Sequence, residues 1–527
     1  MRRAEAAGGD GFRGGSAPSA LRKARSAPEV PLAMDPEEFR RLGHALVDRI
    51  AEHLEGLPGK PVSPGESPEV IRAVLGGDRA LPREGARPGP LLEEATELLL
   101  EHSLFNGHPR FFGYITASPA PVGMLGDLLA AAVNPNVGGW SLSPMASEME
   151  AQTVRWIAEL MGYPVDCGGV LVSGGNAANF IGFLAARAEA GARWEIRKTG
   201  LQGLGSSPLR VYCSPETHTW IDKAADLFGL GTEAVRLIPT DEGLRMDPRA
   251  LRDTIRADRK AGLLPFLVVG TAGSTSTGAV DPLPDLSRIC KEEDLWFHVD
   301  GAYGGFAAAV PGAPTDLVAL AEADSVAVDP HKWLYTPLEA GCALVRRPEA
   351  LRDAFSYRPP YYHFGVEATN YVDYGLQNSR GFRALKVWLG LRQAGRDGYR
   401  RMIAQDMALA QHLHHLAREH PELEAVAQGL SVSVFRYVPE ELKDQVGRPE
   451  VEEYLNELNQ GIQDRLELSG DAFVSNAVVR DRYCLRACIV NFNTTLDDVE
   501  SLPELVAQAG RRVHSLWAIH EAGKGVA

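Results

Sequence analysis

The five residues Asp329-Pro330-His331-Lys332-Trp333 decide how this chain is read. They follow Ser325-Val326-Ala327-Val328, an apolar run of the length and composition of a short buried strand. A lysine at the end of such a strand is uncommon, because desolvation disfavours its ammonium and moves it toward the neutral amine. A neutral amine is the form that condenses with an aldehyde. One such lysine proves little, since most lysines are solvated. A second apolar run, Leu295-Trp296-Phe297-His298-Val299, ends in Asp300 beside Gly301, Gly304 and Gly305. A carboxylate at one strand end can keep a pyridinium nitrogen protonated while an amine at another holds the aldehyde carbon. The two together read as a pyridoxal phosphate (PLP) site.

The composition sets outer bounds. A chain of 527 residues exceeds one ordinary domain, so a large α/β domain with smaller parts is expected. Apolar content of 45% and charged content of 23% fit a globular protein in water. A formal charge of −15 argues against a nucleic-acid partner and against a basic membrane-binding face, and no apolar run is long enough to span a bilayer. Cys167, Cys213, Cys290, Cys342, Cys484 and Cys488 are scattered without a C-x-x-C pair, the usage of a reduced cytoplasmic protein.

Four segments are expected. Residues 1–33, rich in Gly, Ala, Ser and Arg, carry no periodicity and read as a disordered extension. Residues 34–120 read as a helical N-terminal dimerisation segment, its helices from Met34 to about Leu57 expected to pack against a second copy of the chain. Asp35-Pro36-Glu37-Glu38 gives it an N-cap, a Pro at N1 and first-turn acids, and Phe39, Leu42, Leu46, Val47, Ile50 and Leu54 recur at helical spacing. That stripe needs a surface to cover it. A second helix is expected from Leu91 to His102. Residues 121–395 alternate strand-like runs (169–172, 209–213, 266–269, 296–299, 325–328 and 342–345) with helices. This is the pattern of a mostly parallel sheet covered on both faces, with ligands at the carboxyl ends of its strands. Residues 396–527 read as a smaller α+β domain with strands at 430–437 and 484–492, and Thr495 capping a last helix.

Further residues gain meaning only in combination. Ser173-Gly174-Gly175-Asn176 lies between a strand and a helix, where backbone N–H groups can approach a phosphate. No Lys-Ser or Lys-Thr follows, so it is not a Walker A loop, and alone it would be only a turn. His218 is in isolation an ordinary loop histidine, but in this order it can stack on a flat ring. Thr275 sits in a hydroxyl-rich turn, Gly273 to Gly278, that can face a cofactor or merely bond to itself. His412-Leu413-His414-His415 lies on an ordinary amphipathic helix, and no metal site is expected there.

In order and combination these motifs are specific. "MDPEEFRRLGHALVDRIAEHLEGLPG", "HPRFFGYITASPAP", "GGVLVSGGNAANF", "HVDGAYGG", "DPHKW" and "GFRALKVW" resemble those of the group II PLP-dependent amino-acid decarboxylases, nearest to the aromatic L-amino-acid decarboxylases. The resemblance runs from Met34 nearly to the C-terminus. It implies PLP fold type I, the aspartate-aminotransferase-like fold, with a seven-stranded sheet, and a homodimer with sites between subunits. Position by position it implies Lys332 as the Schiff-base lysine, Asp300 at the pyridine nitrogen, His218 stacked on the ring and Ala302 on its other face. Gly175 and Asn176 fall in the phosphate cup. Thr275 matches a threonine near Asp300, and His331 is counted with the cofactor contacts. Asp329 stands where animal members carry Asn near the phosphate, and an acid there needs local compensation. Tyr361, or its neighbour Tyr362, resembles the tyrosine of a catalytic loop.

The same resemblance places Tyr114, Ile115, Thr116 and Val137 at substrate-pocket positions. Gly139 stands where animal enzymes have a bulky aromatic. The expected reaction is PLP-dependent loss of CO2 from an amino acid, an aromatic one by the N-terminal region. A glutamate-type decarboxylase is the runner-up. An aldehyde synthase on the same scaffold is less favoured, because in such enzymes the loop tyrosine is typically replaced. Intact Lys332, Asp300 and His218 speak against a non-catalytic relative.

Overall fold

The computed structural model describes residues 30–205, 208–357 and 368–524. They divide into two compact units. The first comprises the described parts of Met1–Gly56 and Pro68–Glu101, and the second Leu57–Ser67 and everything after His102. In the first unit the helix Pro36–Gly56 begins where Asp35 Oδ1 accepts the backbone N–H of Glu37 at 2.9 Å. Leu42 is buried, whereas Phe39 and Val47 of the same helix and Leu91 and Leu99 of the helix Pro88–Glu101 remain exposed.

The second unit holds two sheets. Strand β1 (Phe111–Phe112) belongs to the smaller one. The larger sheet is built from β2 (Gly168–Val172), β3 (Leu209–Cys213), β4 (Val235–Leu237), β5 (Leu264–Thr271), β6 (Trp296–Asp300), β7 (Ser325–Val328) and β8 (Gly341–Val345). Its order is β2-β8-β7-β6-β5-β3-β4, and β8 alone runs against its neighbours. This is the expected mostly parallel seven-stranded sheet of an α/β protein.

Successive side chains of a strand point to opposite faces, so a sheet covered on both sides needs two cores. Leu171, Tyr212, Val268, Phe297, Val326 and Leu344 enter one core with Val154, Ile157 and Ala158 of the helix Pro144–Met161. Their neighbours Val170, Val211, Leu267, Trp296, Ala327 and Ala343 enter the other with Ala178, Ile181 and Phe183 of the helix Gly175–Ala190. Near-continuous apolar runs in the sequence follow from this double burial.

The smaller sheet has the order β1-β11-β12-β10-β9, with β9 (Leu423–Gly429), β10 (Val432–Tyr437), β11 (Phe473–Val479) and β12 (Arg482–Cys488). Here the structure differs from the sequence expectation. The run 430–437 is not one strand but the second arm of a hairpin whose turn holds Leu430 at φ 47°. The strand expected over 484–492 ends at Cys488. The helix Ala384–Glu419 is two helices joined at Gly395 (φ 64°, ψ 174°), a conformation open to glycine. The last helix, Leu496–Lys524, opens with reciprocal bonds: Thr495 N–H to Asp498 Oδ2 at 2.9 Å, and Asp498 N–H to Thr495 Oγ1 at 3.3 Å. Among the described residues no helix is long and apolar enough to cross a membrane, and all six cysteines are free.

One buried ion pair ties the first strand of the large sheet to distant chain. Arg380 and Glu150 are both inaccessible. Arg380 donates to Glu150, to Val137 O at 2.9 Å and to Leu171 O at 2.6 Å, while Glu150 Oε1 accepts the N–H of Leu171 at 2.9 Å. Arg380→Met leaves Glu150 buried without its cation. The expected loss is about 3–5 kcal/mol of folding stability, read by denaturant unfolding.

Candidate active site

The carboxyl ends of β2, β3, β5, β6 and β7 open into one cavity of about 310 Å³. Ser173, Gly174, Gly175, Asn176, His218, Thr275, Asp300, Ala302, Asp329, His331 and Lys332 line it. Every cofactor contact read from the sequence therefore falls on one cavity. Register explains the closeness of the central pair. In the parallel pairing of β6 and β7, Asp300 stands opposite Ala327, so the two strands end side by side.

Lys332 is not an isolated amine in an apolar wall, as its position after a buried strand suggests. Its Nζ lies 3.0 Å from Oδ2 of the buried Asp329. His331 Nδ1 accepts the N–H of Ala340 at 3.1 Å, which puts the ring proton on Nε2, 3.6 Å from the same Oδ2. Burial holds the His331 pKa below its ordinary value against the opposing pull of Asp329, so this ring is neutral near pH 7. Asp329 Oδ1 is buried and has no hydrogen-bond partner among the described residues.

Asp300 is held as an acceptor. Its Oδ2 takes the indole N–H of Trp220 at 2.7 Å and its Oδ1 the backbone N–H of Ala302 at 3.1 Å. His218 Nδ1 accepts the N–H of Trp220 at 3.3 Å, leaving Nε2 to carry the proton. Desolvation lowers the His218 pKa, opposed by Asp300 and reinforced by Lys332. Behind β6, His298 is pushed down to about 4 by burial, so its ring is neutral. It bridges Ser325 Oγ and Asn179 Oδ1, both at 2.7 Å.

The residues fit PLP on three observations. Gly174 (φ 147°) opens the helix Gly175–Ala190 without a side-chain cap, so no cap takes the first N–H groups of the helix. A Cβ on Gly175 would meet Asp329 Oδ2 at 2.8 Å and Ala302 Cβ at 3.1 Å, so only glycine leaves this cradle open. Gly341, the first residue of β8, packs so closely on Gly174 that a Cβ there would lie 2.6 Å from its backbone. An amine, a fixed acceptor carboxylate and a capless helix N-terminus match the aldehyde, ring nitrogen and phosphate of that cofactor.

Some sequence readings land elsewhere. Tyr114, Ile115, Thr116 and Val137 are not among the cavity's lining residues. Tyr114 is exposed near Phe473, and Val137 is fully buried in the core beside the helix Gly175–Ala190. Trp140, the neighbour of Gly139, donates its indole N–H to Glu148 Oε1 at 2.8 Å. Tyr361 and Tyr362 lie outside the described residues. No group of three or more metal-binding side chains occurs among the described residues.

Other residues at the site escaped sequence reasoning. Glu216 lines the cavity and accepts from Ser276. Trp220 supports Asp300, and its signal was the need of any buried carboxylate for a donor. Arg486 of β12, buried and with its pKa lowered by that burial, donates to Thr275 O and so ties the small sheet to the turn at the cavity. An arginine inside the apolar run Cys484 to Val490 was the visible sign. Beneath the lysine, Asp406 accepts from Trp333 Nε1 at 2.9 Å and Tyr335 Oη at 2.7 Å.

Similarity to known proteins agrees with this geometry. Residues 73–438 match the family model described as the pyridoxal-dependent decarboxylase conserved domain. An aromatic-L-amino-acid decarboxylase of Bacillus atrophaeus is 32% identical over 473 residues, 89% of this chain and 94% of that protein. A 4-hydroxyphenylacetaldehyde synthase of Rhodiola rosea is 30% identical over 491 residues, covering 92% of this chain and 97% of its own. The crystal structure of Oryza sativa TDC with PLP and tryptamine superposes with a TM-score of 0.83 at 28% identity, covering 91% of this chain and 99% of that one.

Asp406 yields a pH prediction. Burial raises its pKa to about 7, against about 3.9 for an unfolded Asp. The folded chain thus keeps a proton that the unfolded chain gives up, and this contribution to stability is lost as pH rises from about 4 through about 7. Unfolding of wild type and Asp406→Asn across that range should show wild type losing stability relative to the variant.

Proposed function

We propose, from the premise that this chain belongs to the pyridoxal-dependent decarboxylase family and is a PLP-dependent carboxy-lyase, that it converts an aromatic L-amino acid to its amine and CO2. The observation that carries this reading is the convergence of Lys332, Asp300, His218 and the capless helix N-terminus on one cavity. The substrate class rests on the relatives at 30% identity or more that act on aromatic amino acids.

When bound, PLP supplies the conjugated ring that accepts the electron pair left on the α-carbon as CO2 departs. The rest falls to the chain. Lys332 is the amine that would hold the aldehyde carbon until a substrate amine takes its place. Asp300, fixed by Trp220 and Ala302, would accept a hydrogen bond from the pyridinium N–H and so keep the proton on the ring nitrogen. The helix N-terminus at Gly175 and Asn176 would bind the phosphate. His218 and Ala302 would flank the ring, and the Nε2–H of His218 is the donor available to hold a substrate carboxylate. To Tyr361, which resembles the tyrosine of a catalytic loop, we assign protonation of the α-carbon. The formal charge of −15 is in keeping with a cytoplasmic enzyme free of nucleic acid and membrane.

A homodimer belongs to the proposal. The helix Pro121–Val133 buries Gly123 and Gly126, while Leu125, Leu128, Leu129 and Val133 are each more than half exposed. Leu142 and Met145 are exposed as well. A helix that buries its glycines and exposes its leucines needs another surface. A second copy is the occupant, in keeping with sites between subunits. Leu128→Glu with Leu129→Glu should shift wild-type dimer to monomer in sedimentation; a variant that stays dimeric would place the interface elsewhere.

The reaction is tested by products. Wild type incubated with each common amino acid should release most amine from an aromatic one, and Lys332→Ala should release none and lose its borohydride-fixed cofactor. Tyr361→Phe should lose most amine and divert flux to aldehyde, ammonia and peroxide. If Tyr362→Phe does this instead, the proton comes from Tyr362. If wild type itself makes chiefly aldehyde, the chain is an aldehyde synthase like the Rhodiola relative.

A further inference from the structure

We propose that Asp329 is the internal acceptor of the proton that Lys332 sheds when it bonds the cofactor, and that its carboxyl stays protonated in the loaded protein. This rests on the PLP reading of the site. Three observations carry it. Asp329 Oδ2 is 3.0 Å from Lys332 Nζ, within direct proton-transfer reach. Oδ1 is buried with no donor among the described residues, so this carboxylate relies on Lys332 for compensation. The Gly175 Cβ test places Oδ2 against the helix N-terminus that takes the phosphate.

The charge balance changes when cofactor enters. Without it, Asp329 and Lys332 cancel. With it, the ammonium is gone and an anion lies at the same helix end. Two anions would then share a buried space. The other titratable groups facing Asp329 cannot relieve this. His331 Nε2 stands 3.6 Å from Oδ2, beyond hydrogen-bond reach, and its ring is kept neutral by burial. His218 lies farther round the cavity and its pKa is also lowered. The Cys342 thiol is buried and raised well above its ordinary pKa, so it stays neutral and adds no cation. A proton on Asp329 removes one anion and turns it into a donor toward the other.

The step balances within the site. Lys332 ammonium passes one proton to Asp329 Oδ2, leaving a neutral amine and a neutral carboxylic acid. The amine nitrogen forms the C=N bond to the aldehyde carbon. The C=O bond breaks, and its oxygen leaves as water with the two remaining amine hydrogens. Nothing is oxidised or reduced.

Infrared difference spectroscopy, loaded minus cofactor-free protein, tests this at mildly alkaline pH, above the ranges of Asp281 and Asp406. Wild type should gain a carboxylic-acid carbonyl band on loading. Asp329→Asn should lack it, and Asp329→Glu, which retains an acid, should show it displaced. No band in wild type, or a band unchanged in Asp329→Asn, overturns the proposal. Borohydride reduction and peptide mapping check separately that Lys332 carries the cofactor. An adduct on Lys332 without the band leaves the PLP reading standing and removes only the role of Asp329. An adduct elsewhere removes both.

Discussion

The register between β6 and β7 is the constraint on which this site depends. Strands in a parallel sheet lie about 4.8 Å apart. With Asp300 opposite Ala327, the carboxylate ends one strand just as the neighbouring strand prepares to turn into Asp329 and Lys332. A shift of one residue would send Asp300 to the other face of the sheet. The two buried cores on either face hold that register, because every strand residue there has a packing partner that a slip would break. Chemistry at the edge is thus set by hydrophobic side chains that never touch a substrate.

Electrostatics inside the cavity follow from which groups are tied and which are not. Asp300 is tied to an indole and a backbone N–H, both of which donate to it. His331 and His298 are tied to backbone or side-chain partners and kept neutral by burial. Asp329 has a buried oxygen with no partner among the described residues. The fixed groups set geometry, and the group with spare valence is the one whose state can change with cofactor.

The sequence revealed what depends on local pattern. The large sheet was legible because strands buried on both faces are continuous apolar runs, and residues at their ends stand out as polar. Lys332, Asp300, His218 and the Gly174–Gly175 turn were visible for that reason. Strand β4 was missed because three residues, one of them Arg236, make no run. Strand β11 was missed because Ser475 and Asn476 interrupt it, although Ser475 is buried and accepts the N–H of Tyr114 at 2.6 Å. Partnerships across long stretches of chain were out of reach. Trp220 with Asp300, Arg486 with Thr275 and Asp406 with Trp333 join residues whose nearness only the fold creates. The pairing of Lys332 with Asp329 was local, yet the strand-end reading treated the lysine as lone.

The contact of Gly341 with Gly174 bears on the order of events during synthesis. β2 and β8 are neighbours in the sheet but far apart in sequence, with five strands of the same sheet between them in the chain. The turn at Gly174 and Gly175 takes its shape only once β8 has been made and inserted beside β2. A nascent chain that has emitted the glycine-rich turn therefore has no anion site to offer, and the cofactor cannot template the sheet. It arrives at a finished fold and stabilises it by mass action, so starvation for the cofactor should yield folded apoprotein rather than misfolded chain.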